Sequence, residues 1–484
     1  MLIGSLIALV LLLLLGAVSV FAPGARGMPT GRIWRVARIG RLFAGLSASW
    51  LGARVRRRFA GKAARVRIDE TARRESAALV VRSMGQMKGA FMKLGQMASF
   101  VAKGLPPEVR ATLASLQSDA PPLDFPLVRD VVERELGRPL ERAFARFDER
   151  PLAAASIGQV HRALLPSGEE VVVKVQYPGV AEAIAADLAN FTVLNRAVAL
   201  LYPGFDPKPV ADELRERLTE ELDYVAEAKH QQTFGNVYEG HPFIRVPRVY
   251  PSHSTARVLT MEYVKGRCFA EVLEDPPELR ARYGEILYRW VFGTIHQHRM
   301  FNGDPHPGNY LFDDAGRIVF LDYGCVKRFP EGMHGNWQQL VIAHLGGDRE
   351  EFRRRAIALS FIAPDCDLST DLLYEYFGYY YEPFRHDREF TFTHEYNVKS
   401  FRMVFSPDGP FAGMTKKMNM PKDFVLVNRI HWGAFAILCD LGATANYHRI
   451  QCEYLFGEAP SSELGRQDAA WREASVPRAL AGAG

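Results

Sequence analysis

Between residues 304 and 324 the sequence runs Asp304-Pro305-His306-Pro307-Gly308-Asn309, an apolar stretch Tyr310 to Phe312, the turn Asp313-Asp314-Ala315-Gly316, a second stretch Arg317 to Leu321, then Asp322-Tyr323-Gly324. Turn residues between two short apolar runs predict a tight hairpin. A hairpin returns the chain to its starting end, so Asn309 before one strand and Asp322 after the other must emerge together. Carboxylate and amide oxygens gathered in this way suit Mg²⁺, a hard cation that takes oxygen ligands.

A second constellation precedes it. The small-residue loop Ala153-Ala154-Ala155-Ser156-Ile157-Gly158-Gln159 leads into two predicted strands, Val160 to Leu165 and Val171 to Gln176, joined at Pro166-Ser167-Gly168-Glu169. Small side chains let backbone N–H groups approach phosphate oxygens, and Lys174 on the outer strand adds a fixed positive charge. Either half alone reads as tight packing or an edge lysine. Together they make Ala154, Ala155, Ser156, Gly158 and Lys174 phosphate-binding candidates.

A third signal lies in Glu213 to Ala228, where Leu214, Leu218, Glu221 and Val225 fall on one predicted helical face. A carboxylate among apolar neighbours needs a cation. Asp223 and Glu227 lie on the adjacent face, while Glu213, Glu216 and Glu220 read as solvated surface acids. His296, His298 and His306 are close in sequence, but no Cys joins them and prolines flank His306, so neutral, hydrogen-bonded histidines are expected rather than zinc ligands.

At 484 residues the chain exceeds one compact core. Its 48% hydrophobic and 24% charged content is that of a globular protein. The net charge of +5 is concentrated: Arg26 to Glu75 holds fourteen Lys or Arg against three acids. Residues 1–22 carry no charged side chain and, as a helix, span roughly 30 Å, enough for one membrane crossing. With Arg26, Arg32, Arg35, Arg38 and Arg41 following, the positive-inside rule places the remainder on the cytoplasmic side of a bacterial-type inner membrane, and anionic lipid headgroups are the expected partner of the basic stretch. A cleaved signal is the rival reading, disfavoured by Pro23 and by the lack of any basic residue before the apolar run. No nucleic-acid module accompanies the charge. The five cysteines, odd in number and never in CxxC form, read as reduced thiols.

Along the chain, residues 78–101 place Val80, Met84, Met87, Phe91, Leu94 and Val101 on one helical stripe, with Lys93 and Gln96 off it. Helices are expected over 108–146, 210–229 and 281–298 and beyond 337, and a buried strand over 256–263. The segment 459–484 reads as polar and frayed.

These residues resemble the UbiB/AarF atypical kinase family. The resemblance runs from about residue 76 to 345 and rests on Lys93-Leu94-Gly95-Gln96 as KxGQ, the alanine-rich loop, the Lys174 strand, Glu221 to Ala228 as ELDYVAEA, DPHPGN and DYG. It implies an α+β, bilobal protein-kinase-like fold. Taken with the residue reading above, the expected layout is an anchor at 1–22, a basic segment at 23–75, a helical extension at 76–145, an N-lobe at 146–265, a C-lobe at 266–345 and a helical region at 346–484. It implies ATP and Mg²⁺ as cofactors, with Asn309 and Asp322 holding metal and Asp304 as catalytic base. Lys174 would pair with Glu227, and Glu262 joins the nucleotide-binding set. Lys93 would bind Glu221, with Gln96 beside it, and lay its helix over the cleft as a lid. Activity would be ATP hydrolysis or phosphotransfer to a small or lipid-associated acceptor, in support of ubiquinone or other isoprenoid-lipid metabolism. Three departures stand out: Asn302 where relatives carry His, His230 where they carry Asn, and an anchor at the N-terminus.

Two other classes remain open. One is an ATP-binding scaffold or chaperone for lipid-biosynthesis enzymes with little turnover. The other is a module binding a quinone or isoprenoid lipid along Tyr374, Tyr376, Phe377, Tyr379, Tyr380, Tyr381 and Phe384, for which helix core is the competing explanation.

Overall fold

The computed structural model describes residues 123–185 and 219–481, apart from Ser156, Ala183 and positions 406–408, 412, 415, 416 and 420, with scattered positions from 52 to 68. The expected membrane anchor and the Lys93-to-Gln96 motif lie outside the described residues. Two compact units divide at Ala226/Glu227, Arg248/Val249 and Tyr263/Val264.

The first unit is built on an antiparallel sheet. β1 (Arg146–Phe147), β2 (Ala153–Ala154), β3 (Gly158–Leu164), β4 (Glu170–Gln176) and β6 (Val258–Glu262) form it, in the order β1-β3-β4-β6 with β2 also on β3. Register pairs Val160 with Lys174 and Lys174 with Leu259. The β3–β4 turn needs Gly168, whose φ of +94° is one that side-chain-bearing residues rarely adopt. Alternation sends Val171, Val173 and Val175 to one face, where helix α1 (Phe125–Leu136) buries Val128, Val131 and Val132 with them. Lys174 therefore stands on the opposite face.

The helix expected over 210–229 is interrupted. Residues 219–221 are helical, the chain turns at Leu222–Asp223, and helix α2 (Tyr224–Val237) starts afresh. Asp223 causes the break: its carboxylate accepts the Ala226 N–H at 2.9 Å, an N-cap that competes with helix continuation. The single face proposed for Glu221 and Val225 is thus corrected, and Val225 is exposed.

The second unit is mainly helical. A small sheet in the order β5-β10-β9-β7 joins β5 (Ile244–Arg245), β7 (Arg267–Cys268), β9 (Tyr310–Phe312) and β10 (Ile318–Phe320); the predicted hairpin is β9–β10. A separate pair joins β8 (Met300–Asn302) to β11 (Val326–Arg328). Helix α3 (Pro277–Tyr288) passes through a π turn at Arg289–Gly293 into α4 (Thr294–His298). At that turn Arg289, almost wholly buried, forks onto Glu453 at 2.7 and 3.2 Å and meets Glu285 at 2.8 Å.

Helices α5 (Glu331–Leu345), α6 (Arg349–Ala358), α7 (Thr370–Tyr381), α8 (His394–Phe405), α9 (Lys422–Leu441), α10 (Tyr447–Leu455) and α11 (Glu463–Ala481) complete the unit. The last corrects the frayed-tail expectation. α11 is docked by Trp471, which donates to the Glu239 carbonyl at 3.0 Å, and by Asp468, 3.1 Å from buried His241. Of the aromatic run, Tyr374, Tyr376, Phe377, Tyr380, Tyr381 and Phe384 are buried and Tyr379 is partly exposed, while Tyr376, Phe377, Tyr380 and Tyr381 also line an apolar pocket with Trp337 and Phe424. Among the described residues all five cysteines are free, no histidine, cysteine and carboxylate group has metal-site geometry, and no helix is long and apolar enough to cross a membrane.

Candidate active site

Two strand pairings bring the acidic loops of the second unit together. β8 ends at Asn302, two residues before Asp304, and its partner β11 begins at Val326, two residues after Gly324; Asn302 pairs with Val326. On the other side β9 starts at Tyr310 directly after Asn309, and Phe320, close before Asp322, pairs with Tyr310. Each loop is therefore held at both ends against the other. Leu321 N–H donates to the Asn309 carbonyl at 3.0 Å, and Gly303 N–H to the Cys325 carbonyl at 2.6 Å.

Within this frame Asn302 acts as a staple. Its amide Nδ2 donates to the Asp322 backbone carbonyl, while its Oδ1 accepts the Asp304 N–H at 3.0 Å. Asn309 Nδ2 donates to the Asp304 carbonyl at 3.2 Å, which leaves its Oδ1 as the ligand-capable atom. Asp322 Oδ1 accepts the Gly324 N–H at 2.9 Å. Tyr310 is buried, and its phenol is pushed far above the ordinary range by burial first and then by the charges of Asp304 and Asp322. All three candidate acids and amides, Asp304, Asn309 and Asp322, are partly exposed.

Buried Glu227 on α2 belongs to the same neighbourhood. A Cβ placed on Gly324 would lie 3.4 Å from Asp322 Oδ1 and 3.7 Å from Glu227 Oε2, so both carboxylates border that glycine. One turn on, His230 Nδ1 lies 3.2 Å from the Tyr323 carbonyl and donates to it. The two departures noted in sequence, Asn302 and His230, thus both brace the Asp322-Tyr323-Gly324 segment. Their motif position pointed to them; their contacts depended on side-chain orientation. Among the histidines, burial lowers His296 to about 3, the neutral state expected of it.

The first unit holds the remaining candidates. The alanine-rich segment is a hairpin, β2 on β3, closed where Ala155 N–H meets the Gly158 carbonyl at 2.9 Å. Gly158 is obligatory: an added Cβ would sit 2.2 Å from the Val175 carbonyl oxygen. Tyr177 N–H fixes the turn from below through the Ile157 carbonyl at 2.9 Å. Lys174 Nζ lies 4.9 Å from the centre of the buried Tyr224 ring, a cation–π contact that sequence reasoning missed although Tyr224 sits inside the ELDY motif. Glu262 ends β6 opposite Val171. Ser156, and Lys93 and Gln96, which are expected to meet Glu221, are outside the described residues.

Residues 115–356 match the ABC1 atypical kinase-like domain. The atypical kinase COQ8, mitochondrial, of Saccharomyces cerevisiae is 30% identical over 385 residues, covering 78% of this chain and 75% of its own. The chain belongs to the UbiB family of atypical kinases. Another UbiB relative, AarF domain-containing protein kinase 1 of Xenopus tropicalis, is 33% identical over 281 residues. Activity of BC1 complex kinase 8, chloroplastic, of Arabidopsis thaliana is 33% identical over 289 residues. The chain spans 52% and 38% of these two proteins' lengths. The solved complex of Rv3197 with erythromycin from Mycobacterium tuberculosis superposes with a TM-score of 0.60 at 30% identity, covering 78% of this chain and 95% of that one. The fold is protein-kinase-like, and UbiB membership supports a kinase- or ATPase-like enzyme whose domain implies ATP binding.

Proposed function

We propose that this chain binds MgATP and hydrolyses it, or passes its phosphoryl group to a small or lipid-associated acceptor, at a membrane where ubiquinone or another isoprenoid lipid is made. The observation that carries this is the Asn302 staple, which presents Asp304, Asn309 and Asp322 from two loops locked in register. A carboxylate plus an amide oxygen, with the amide's NH₂ already committed elsewhere, is a donor set that fits a hard dication and not a soft metal. Mg²⁺ held by Asn309 and Asp322 would supply charge neutralisation at the phosphates.

Asp304 would orient the attacking hydroxyl or water and accept its proton, the part played by the catalytic-loop Asp of kinases. The Ala154, Ala155 and Gly158 backbone, with Ser156 between them, would cradle phosphate oxygens. Lys174, expected to pair with Glu227, would add the point charge, with Glu262 among the nucleotide contacts. The helix carrying Lys93 and Gln96 is proposed as a lid tied to Glu221. Residues 1–22 and the basic stretch after them are proposed to hold the protein on anionic lipid, beside lipid-biosynthesis enzymes.

The test is MgATP turnover by the full chain, with and without anionic liposomes and a prenol-like lipid. Turnover raised by either supports the reading. Absence of MgATP binding under all these conditions overturns it.

A further inference from the structure

Directly beneath the alanine-rich hairpin lies a buried polar pair that phosphate binding does not require. Gln159 is 1% exposed and His161 is fully buried, both on β3. They pair across the strands with Val175 and Val173, so they occupy the face opposite Lys174. Phe125 and Phe147 wall in the imidazole, with ring centres 6.2 and 5.2 Å away.

Every polar atom of the pair has a directed partner. His161 Nδ1 lies 2.8 Å from the Asp148 carbonyl, which can only accept, so Nδ1 carries the proton. Its Nε2 is then an acceptor and takes a hydrogen from Gln159 Nε2 at 2.9 Å. Gln159 Oε1 in turn accepts the Leu123 N–H at 3.0 Å, across 36 residues of sequence. Burial holds the imidazole pKa below its ordinary value, and Asp148 is the charged group that counters this. The chain order from Leu123 through Gln159 and His161 to Asp148 is thus fixed at every junction.

The position of this chain of bonds gives it a consequence. Gln159 follows Gly158 directly and faces Ala154 across the hairpin, so it grips the base of the phosphate-loop turn. Leu123 is the point at which the chain enters from the segment bearing Lys93 and Gln96. We propose that Gln159 and His161 are positioning residues, a buried strut through which the chain entering at Leu123 sets the alanine-rich turn for the nucleotide. The proposal rests on the reading that this turn meets nucleotide phosphates.

Two substitutions at one position test it in the full chain. Gln159→Met keeps volume but removes both bonds. Hydrogen exchange without nucleotide should then quicken at Leu123 and across residues 153–158, and the MgATP dissociation constant should rise about threefold to tenfold, the effect of losing about one neutral hydrogen bond. Gln159→Glu keeps the acceptor for Leu123 but has no hydrogen for His161 Nε2, so the contact re-forms only when the imidazole takes a second proton and Nε2 donates to the carboxylate. That variant should bind MgATP like the parent near about pH 6 and at least about threefold more weakly near about pH 8, relative to the parent at each pH. A purely structural strut would lower the melting temperature without either change.

Unaltered exchange over 153–158 with dissociation constants within about twofold of the parent in both variants would overturn the proposal. If Gln159→Met does not fold, the pH series of Gln159→Glu decides alone. If the parent binds MgATP and Lys174→Ala weakens it while the Gln159 variants do not, only the strut falls. If the parent binds none, the nucleotide reading falls with it.

Discussion

Asn302 commits both ends of one amide to two different loops, and this has a measurable cost when removed. Asn302→Ala frees the Asp322 carbonyl and the Asp304 N–H, each partner worth about 0.5–1.5 kcal/mol. The loops then keep their strand ends but lose their relative register. Turnover should fall about tenfold to a hundredfold, with a smaller change in the MgATP dissociation constant, because placement rather than charge is lost. Asp322→Asn removes the charge proposed to face the metal and should nearly abolish Mg²⁺-dependent nucleotide binding or hydrolysis. Lys174→Ala should raise the nucleotide dissociation constant while leaving a folded protein. If both bind and hydrolyse MgATP like the parent, the assignment of these residues is wrong.

At the level of elements, the break between Glu221 and Tyr224 matters because it aims two motifs separately. Asp223→Ala removes an N-cap, a loss of about 0.5–2 kcal/mol, and should lower the melting temperature through α2. The proposed Lys93 and Glu221 pair is read by a double-mutant cycle. Lys93→Ala and Glu221→Gln should each loosen the lid and lower stability, and the double variant should lose less than the sum. Additive losses would show that the two side chains do not meet. The same region shows what a sequence can and cannot tell. The β9–β10 hairpin was legible because turn residues and flanking acids encode it locally. The helix break was not read, although Asp223 stands three residues before Ala226, because an unbroken apolar period outweighed one capping residue. Helix α11 escaped notice for a tertiary reason: the docking of Trp471 and Asp468 on Glu239 and His241 is what buries it. The Gln159 and His161 strut had no local signal at all, since Leu123 is 36 residues away.

For the whole molecule, residues 1–22 are expected to hold the protein on the membrane with the remainder cytoplasmic. Protease added to sealed inside-out vesicles should destroy the kinase-like portion, and its protection would reverse that topology. Acid should also weaken the second unit. Burial lowers His344 to about 4 and His431 to about 3, against about 6.5 in an unfolded chain. The unfolded form therefore binds protons first, so the stability these groups lend is intact above about pH 6.5 and declines as pH falls toward about 4, at up to about 1.4 kcal/mol per unit per histidine. Denaturant midpoints at pH 7 and near about pH 4.5 should show the decline, and His344→Phe should lessen it; an equal decline in that variant would assign it elsewhere.

The Arg289 fork also sets a timetable for synthesis. Glu453 leaves the ribosome 164 residues after the guanidinium it must neutralise. Until then the guanidinium has Glu285 but not the carboxylate that takes both its terminal nitrogens, and this half-paired state favours solvent over the core. The helices preceding Glu453 can form early, but their closure around the π turn waits for it. Protease resistance of ribosome-bound chains should therefore arrive late and abruptly.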